Sequence, residues 1–127
     1  MFGNPYAEKF ALEATYEDTA TVTRQRGQKG ADGLARPVSV EVYNGIICAL
    51  SKGGNSSRQT DAQLSIDYDM KLFVSPDIEI EPGDTISVAR FGRIQTSNNF
   101  VQTFEVVGVP VRYLTHREVF LKAGDLS

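Results

Sequence analysis

A strict alternation of apolar and polar residues runs through the middle of the chain. Between Leu64 and Ile80 every even-numbered residue except Pro76 is apolar, whereas every odd-numbered residue except Phe73 is polar or charged. A period of two over such a length is typical of extended chain with one buried face and one solvent-facing face. A helix would distribute the same apolar residues around its whole circumference. The pattern therefore predicts β structure.

Shorter segments with β character occur on both sides of this stretch. Glycine- and proline-rich turns separate them, and Glu81-Pro82-Gly83-Asp84 and Phe91-Gly92 are two such turns. Asn44-Gly45 marks either a two-residue hairpin or a bulge within one continuous strand. Beyond the alternating stretch, we predict strands at 15–24, 38–50, 85–90, 103–107, 109–113 and 117–122.

The chain of 127 residues has the size of one domain, residues 1–127. Six to eight short strands predict an all-β fold, either a small, partly open β-barrel or a sandwich with long polar loops. Residues 1–12 are either an N-terminal arm or a short helix, in which Asn4 is the N-cap and Pro5 the first helical residue. We expect a shared core of Ile66, Tyr68, Met70, Leu72, Ile86, Val88, Phe104, Val106, Val119 and Leu121.

Two polar segments interrupt the β pattern. Residues 25–36 contain three glycines and predict a solvated loop, and residues 51–61 predict a mobile one. Composition favours plain solvated loops over contacts to a phosphate backbone, because no aromatic residue is interleaved with the basic ones. The basic residues in and beside the two segments are Arg24, Arg26, Lys29, Arg36, Lys52 and Arg58.

Net charge and hydropathy exclude several classes of protein. The formal charge of −3 gives no bulk attraction to nucleic acid or to an anionic membrane. No apolar run approaches the roughly 18–20 residues that span a bilayer. Residues 1–10 lack the features of a secretory signal, so we expect the chain to be intracellular when it is made.

Cysteine and histidine content limits the available chemistry. The single cysteine, Cys48, cannot form an intramolecular disulfide, and with one histidine, His116, a zinc cluster is not expected. Cys48 lies in an apolar segment and is interpreted as a small buried hydrophobe. His116 has no neighbouring constellation that would make it a general base or a ligand.

Acidic residues and glycines complete the search for a site. Four carboxylates lie between residues 77 and 84, but most alternate along the polar side of an extended segment, which is typical of a solvated face. The glycine pairs match neither a dinucleotide fingerprint nor a P-loop. We therefore expect no cofactor, no metal and no enzymatic activity. The four carboxylates are Asp77, Glu79, Glu81 and Asp84.

The run from Met70 to Asp84, MKLFVSPDIEIEPGD, resembles a signature of phage proteins from Gram-positive hosts described as minor capsid or head–tail joining proteins. The strand-like residues 46–51 before a polar loop also resemble that family. So does the C-terminal order of FEVVGVP at 104–110 followed by Tyr113 and His116. The family commonly has serine before this histidine, whereas this chain has Thr115. In order, these features cover residues 38–121.

The resemblance implies the head-closure, or head-to-tail stopper, family of long-tailed bacteriophages. Members are small β-barrel-like subunits that form a ring beneath the adaptor on the portal, retain the packaged genome and present a docking surface for the tail. A long loop projects into the ring's channel in that family. By this resemblance the channel-loop candidates are Lys52, Gly53, Gly54, Asn55, Ser56, Ser57, Arg58 and Gln59, with Arg26, Lys29 and Arg36 as candidates on the second loop.

The same resemblance implies the partners: adaptor, portal-side and tail proteins, a homo-oligomeric ring, and a candidate contact with packaged DNA. It places the protein at the head–tail interface of the virion, after synthesis in the host cytoplasm, with no membrane contact. We expect a monomer or weak oligomer in isolation and a ring on the adaptor. The alternatives are a neighbouring connector, a tail-terminator or tail-completion subunit, or a β-module of another class that binds carbohydrate or peptide ligands.

Overall fold

The computed structural model describes residues 5–31, 33–52, 67–94 and 100–123. Within these ranges the chain forms one short helix and seven strands. In chain order these are α1 (Pro5–Glu13), β1 (Asp18–Lys29), β2 (Ala35–Lys52), β3 (Met70–Val74), β4 (Thr85–Ala89), β5 (Val101–Val106), β6 (Val111–Arg112) and β7 (Arg117–Ala123).

The strands form one antiparallel sheet whose hydrogen-bonded pairing closes on itself. β1 pairs with both β2 and β4, β4 pairs with β5, and β5 pairs with β7. β7 also pairs with β3, and β3 returns to β2, so six strands complete a ring of pairs. The two-residue β6 joins β7 as the seventh strand. The prediction of an all-β fold is confirmed, and the pairing resembles its barrel alternative.

Alternate side chains of these strands fill the interior of the closed sheet. Seven of the ten predicted core residues belong to one buried cluster, and Met70 is partly buried against it. Tyr68 is also buried, but it packs on Phe120 with ring centroids 5.1 Å apart. Ile66 lies outside the described residues. The register assigned from the alternation is therefore correct. The seven are Leu72, Ile86, Val88, Phe104, Val106, Val119 and Leu121.

The alternating stretch forms a shorter strand than its pattern suggests. β3 ends at Val74, and the chain turns where the amide of Ile78 donates to the carbonyl of Ser75 at 3.1 Å. Pro76 has no amide hydrogen to donate to a ladder, which explains the interruption. Ile80 is nevertheless buried, so the apolar side of the pattern continues to face the core after the strand has ended.

The first two strands are longer than predicted. β1 extends to Lys29 and β2 begins at Ala35, so the prediction of a solvated loop over 25–36 is wrong. Glycines and basic residues gave these positions a loop-like composition. Pairing between the two strands, in which Gln28 lies opposite Arg36, makes them β structure.

The Asn44-Gly45 pair marks a bulge, and the hairpin alternative is wrong. β2 runs unbroken through both residues, while its register with β1 shifts between Ala20 and Thr23. Gly45 has a φ of 73°, a conformation that glycine adopts without strain. The irregularity re-aims the strand while the ladder continues on both sides of it.

The remaining local predictions concern the chain's start and the turn after β4. Residues 4–12 were expected to form a helix or an arm, and α1 covers Pro5–Glu13. The predicted turn at Phe91-Gly92 is present, with Phe91 at a φ of 60°. In the part of the chain that the structure describes, no helix is long and apolar enough to cross a membrane.

Candidate assembly surface

A two-stranded arm extends from the closed sheet. The pairing of β1 with β4 begins at Thr19 and ends at Thr23, which lies opposite Thr85. Beyond that point residues 24–29 pair only with residues 35–40 of β2, over six successive pairs. At the spacing of an antiparallel strand, six residues reach about 20 Å. We call residues 24–40, which include the connecting turn at 30–34, the arm.

The turn at the end of the arm is closed by backbone hydrogen bonds. The amide of Gly30 donates to the carbonyl of Leu34 at 2.9 Å, and the amide of Gly33 donates to the carbonyl of Gly30 at 2.9 Å. Gly33 has a φ of 84°, which a residue with a β-carbon adopts only with strain. Gly30 and Gly33, two of the glycines that suggested a loop, therefore serve the connection between the two strands.

One face of the arm combines basic and apolar side chains. The pairs Arg24 with Val40 and Arg26 with Val38 place these residues on the face that continues from buried Val22. The next pair on that face brings in Arg36. The valines are about one-third exposed, Val38 at 36% and Val40 at 38%. On the opposite face, the Gln25 side-chain amide donates to the Ser39 hydroxyl at 2.7 Å.

The base of the arm is tied to the turn before β4. Arg24 donates from Nε to Asp84 Oδ1 and from Nη2 to Asp84 Oδ2, both at 2.8 Å. Its Nη1 lies 3.5 Å from a carboxylate oxygen of Glu81. The hydrogen bond to Asp84 raises the pKa of Arg24 above its ordinary value, so its charge is permanent. These residues line a shallow groove of about 380 Å³ where the arm leaves the sheet.

Charge is distributed unevenly between the arm and the body of the protein. Residues 24–40 contain four basic residues and one acidic residue, a net charge of +3. The other positions carry nine basic and fifteen acidic residues, a net charge of −6. Among the exposed acids are Asp77, Glu79 and Glu81, which follow one another in the segment between β3 and β4. We call residues 77–81 the acidic segment.

The structure separates the two sets of candidate site residues. Arg26 and Arg36 share the arm's basic face, and Lys29 lies in β1 near the tip. Lys52 is exposed at the other end of β2, opposite Met70. The remaining channel-loop candidates, Gly53, Gly54, Asn55, Ser56, Ser57, Arg58 and Gln59, lie outside the described residues. Because β2 separates them, Lys52 and the arm's arginines do not form one basic patch.

A second exposed surface lies on α1. Tyr6 and Phe10 are one helical turn apart and are 81% and 78% exposed. Leu12 is partly buried and lines a cavity together with Ala49 and Phe73 of the sheet. The C-terminal end of α1 is held by Arg93, whose Nη1 donates to the carbonyl of Glu13 at 2.7 Å. It also donates to the carbonyl of Tyr16 at 3.0 Å. Exposed aromatic residues on an anchored helix are typical of a contact surface.

Contacts with neighbouring side chains hold His116 in place, which indicates a structural role. Its ring stacks on Tyr113 with centroids 4.8 Å apart, and Nε2 lies 3.0 Å from a carboxylate oxygen of Glu118. Lys71 in turn lies 3.3 Å from that carboxylate. Across the described ranges, no group of three or more histidine, cysteine, aspartate or glutamate residues is placed to hold a metal ion. Cys48 is buried, as expected, and burial raises the pKa of its thiol.

Comparison with known proteins supports the fold. No family model and no curated protein matches the sequence. The solution structure of protein SF1141 from Shigella flexneri 2a is similar, with a TM-score of 0.66 at 13% identity. That match covers 88% of this chain and 96% of SF1141.

Protein xkdH from the phage-like element PBSX of Bacillus subtilis is also similar, with a TM-score of 0.50 at 10% identity. The match covers 87% of this chain and 97% of xkdH. At these identities the likeness concerns the fold alone. The chain therefore shares its all-β fold with a protein of a phage-like element.

Proposed function

We propose that this protein is a structural subunit of the head-to-tail connector of a long-tailed bacteriophage, and that it is the stopper. In this role a ring of copies closes the portal channel after DNA packaging and presents a docking surface for the tail. The observation that carries the proposal is the fold shared with xkdH of a phage-like element over 97% of that chain. The sequence resemblance from 38 to 121 supports the finer assignment to the stopper.

The physical character of the molecule suits a ring subunit. The closed sheet provides a rigid body, because its strands leave few edges free within the ring of pairs. The arm and the acidic segment are two different surfaces of opposite charge, and a subunit of a closed ring needs two different surfaces for its two neighbours. The proposed role is assembly and does not require catalysis. The proposed partners are the adaptor, the portal-side proteins and the tail.

Electron microscopy of reconstituted connectors tests the proposal. Purified protein is mixed with portal and adaptor proteins encoded by the same genome, and the particles are averaged with and without it. We expect an extra ring of density beneath the adaptor. Portal alone, without adaptor, is the control and should gain no ring, because the stopper is proposed to dock on the adaptor.

Other outcomes would identify a different role. Density on the end of isolated tails, with none on the portal–adaptor complex, would show a tail-terminator or tail-completion subunit. Failure to bind either assembly would contradict a connector role and favour the ligand-binding module. Each outcome can be read directly from the averaged particles.

A further inference from the structure

We propose that the basic face of the arm docks on the acidic segment of a second copy of this chain. The contact is head-to-tail, since one copy supplies residues 24–40 and its neighbour supplies residues 77–81. It rests on the proposed function only in assigning this contact to the connector ring. The self-association itself can be tested without any phage partner.

An arm of this kind requires a partner for physical reasons. A two-stranded hairpin by itself is at best marginally stable in water, because it buries little apolar surface. Here residues 35–41 of β2 are all exposed, and among them are Val38 and Val40. The arm is anchored at one end by Arg24 on Asp84. Its outer part therefore offers a preformed surface that a partner could bury without having to order it.

The composition of the arm's face favours protein over DNA as the partner. Val38 and Val40 lie on this face beside Arg26 and Arg36. Apolar side chains gain no binding energy from contact with a charged phosphate backbone. No aromatic residue lies on the arm to stack against bases. A surface of arginine and partly exposed valine is instead typical of a protein interface.

Charge complementarity identifies the second copy. The arm, residues 24–40, carries +3 and the other positions carry −6, so each body attracts the arm of another copy. The arm begins beside the acidic segment. The side chains of Asp77 and Glu81 in this segment are 74% and 64% exposed. Within one chain Arg24 lies 3.5 Å from Glu81 and Lys9 lies 4.0 Å from Asp77, so both carboxylates already pair with basic side chains while most of their surface stays exposed.

The edges of the arm argue against indiscriminate strand pairing. Pro37 lies in the outer half of β2, where it removes an amide donor from the edge. The charged side chain of Arg36 next to it discourages further strands from adding. Because Pro37 and Arg36 oppose strand addition at this edge, the arm is left to dock through its basic face, in one orientation. Repeated by rotation, a head-to-tail contact of this kind closes a ring.

Cross-linking between differently labelled copies tests the contact. One preparation carries Arg26→Cys and the other Glu79→Cys, and they are mixed with a short bismaleimide. The native Cys48 does not interfere, because it is 0% exposed. We expect covalent dimers in the mixture and in neither preparation alone. A mixture of Lys52→Cys with Glu79→Cys is the matched control, since Lys52 lies at the far end of β2.

Charge exchange provides the second part of the experiment. Added to the cysteine-bearing proteins, Arg36→Glu or Asp77→Arg should lower the cross-linked yield about tenfold, and together they should restore it. Failure of restoration, or dimers from the Arg26→Cys protein alone, would overturn the head-to-tail contact. The absence of cross-links in the mixture would also overturn the proposal. If Arg36→Glu then weakens binding to double-stranded DNA, the arm is a DNA contact instead.

These results can be separated from the connector test. Rings on the portal–adaptor complex without cross-links would leave the stopper proposal intact and remove the arm contact. Cross-links without rings would retain the self-association and remove the connector role.

Discussion

Arg24 and Asp84 form a two-pronged ion pair that joins the base of the arm to the turn before β4. Both nitrogen–oxygen distances are 2.8 Å, and Asp84 is 2% exposed. One carboxylate oxygen also accepts the amide of Glu81 at 2.9 Å. The pair fixes the direction in which β1 leaves the closed sheet. It therefore connects the stability of the body to the position of the arm.

Removing Arg24 should be costly because it leaves a buried carboxylate without its cation. We expect Arg24→Ala to lower the free energy of unfolding by about 3–5 kcal/mol, measured by urea denaturation. Arg26→Ala is the matched control, because Arg26 is exposed two residues further along the same face, and it should cost within about 0.5 kcal/mol. Equal losses from both variants would show that the pair does not hold the arm.

The fold could be predicted from the sequence where one side of a strand is buried. The alternation from Leu64 to Ile80 correctly placed Leu72 on the buried side of β3. Side chains alternate between the two faces of a strand, so a shift of one residue would have predicted every core side chain of β3 to be exposed. The length of β3 could not be obtained in the same way. Apolar side chains such as Ile80 continue to reach the core after backbone pairing ends.

The arm could not be predicted because its stability comes from pairing between strands rather than from local composition. Gly27 and Gly30 were interpreted as parts of a loop, although Gly27 lies opposite Pro37 in the ladder. A signal was present in the alternation of Val38, Val40 and Val42, which predicted the second strand. Its partner had no comparable apolar pattern, because arginines occupy the equivalent face.

Truncation of a core residue should test the closed sheet. We expect Leu72→Ala, at a side chain that is 0% exposed, to cost about 2–5 kcal/mol in unfolding free energy. Asp67→Ala is the control, since the carboxylate of Asp67 is 83% exposed and pairs with the exposed Lys122, and its cost should be within about 0.5 kcal/mol. A larger loss from Asp67→Ala would mean that the register of β3 is inverted.

Gly92 should tolerate no side chain. A β-carbon at this position would overlap Thr19 Oγ1 and would lie 3.0 Å from the carbonyl oxygen of Ala89. We expect Gly92→Ala to cost about 1–3 kcal/mol, and Thr19→Ala in the same protein to recover part of that loss. Gly27→Ala is the control, because nothing lies within 4 Å of a β-carbon there. Thermal unfolding of the four variants would measure these effects, and a fully additive double variant would contradict the overlap.

Tyr16 should make stability fall at alkaline pH. It is 3% exposed, and burial, with the nearby Glu13 carboxylate, raises its pKa to about 12 from an ordinary value of 10.0. In the unfolded chain the phenol loses its proton near pH 10, whereas the folded protein keeps it until about pH 12. Between these values the unfolded state binds fewer protons, so rising pH favours unfolding. The expected loss is about 1 kcal/mol between pH 9 and pH 11.

Replacing the phenol isolates this contribution. Tyr16→Phe removes the titrating group but keeps the ring, so its unfolding free energy should fall by about 1 kcal/mol less than that of the unmodified protein between pH 9 and pH 11. Tyr113→Phe is the matched control, because it removes the same hydroxyl from a side chain that is 46% exposed. Urea denaturation at pH 9, 10 and 11 gives the three slopes. Parallel slopes for Tyr16→Phe and the unmodified protein would mean that Tyr16 ionises with the same pKa in the folded and unfolded states, which would contradict the effect of burial.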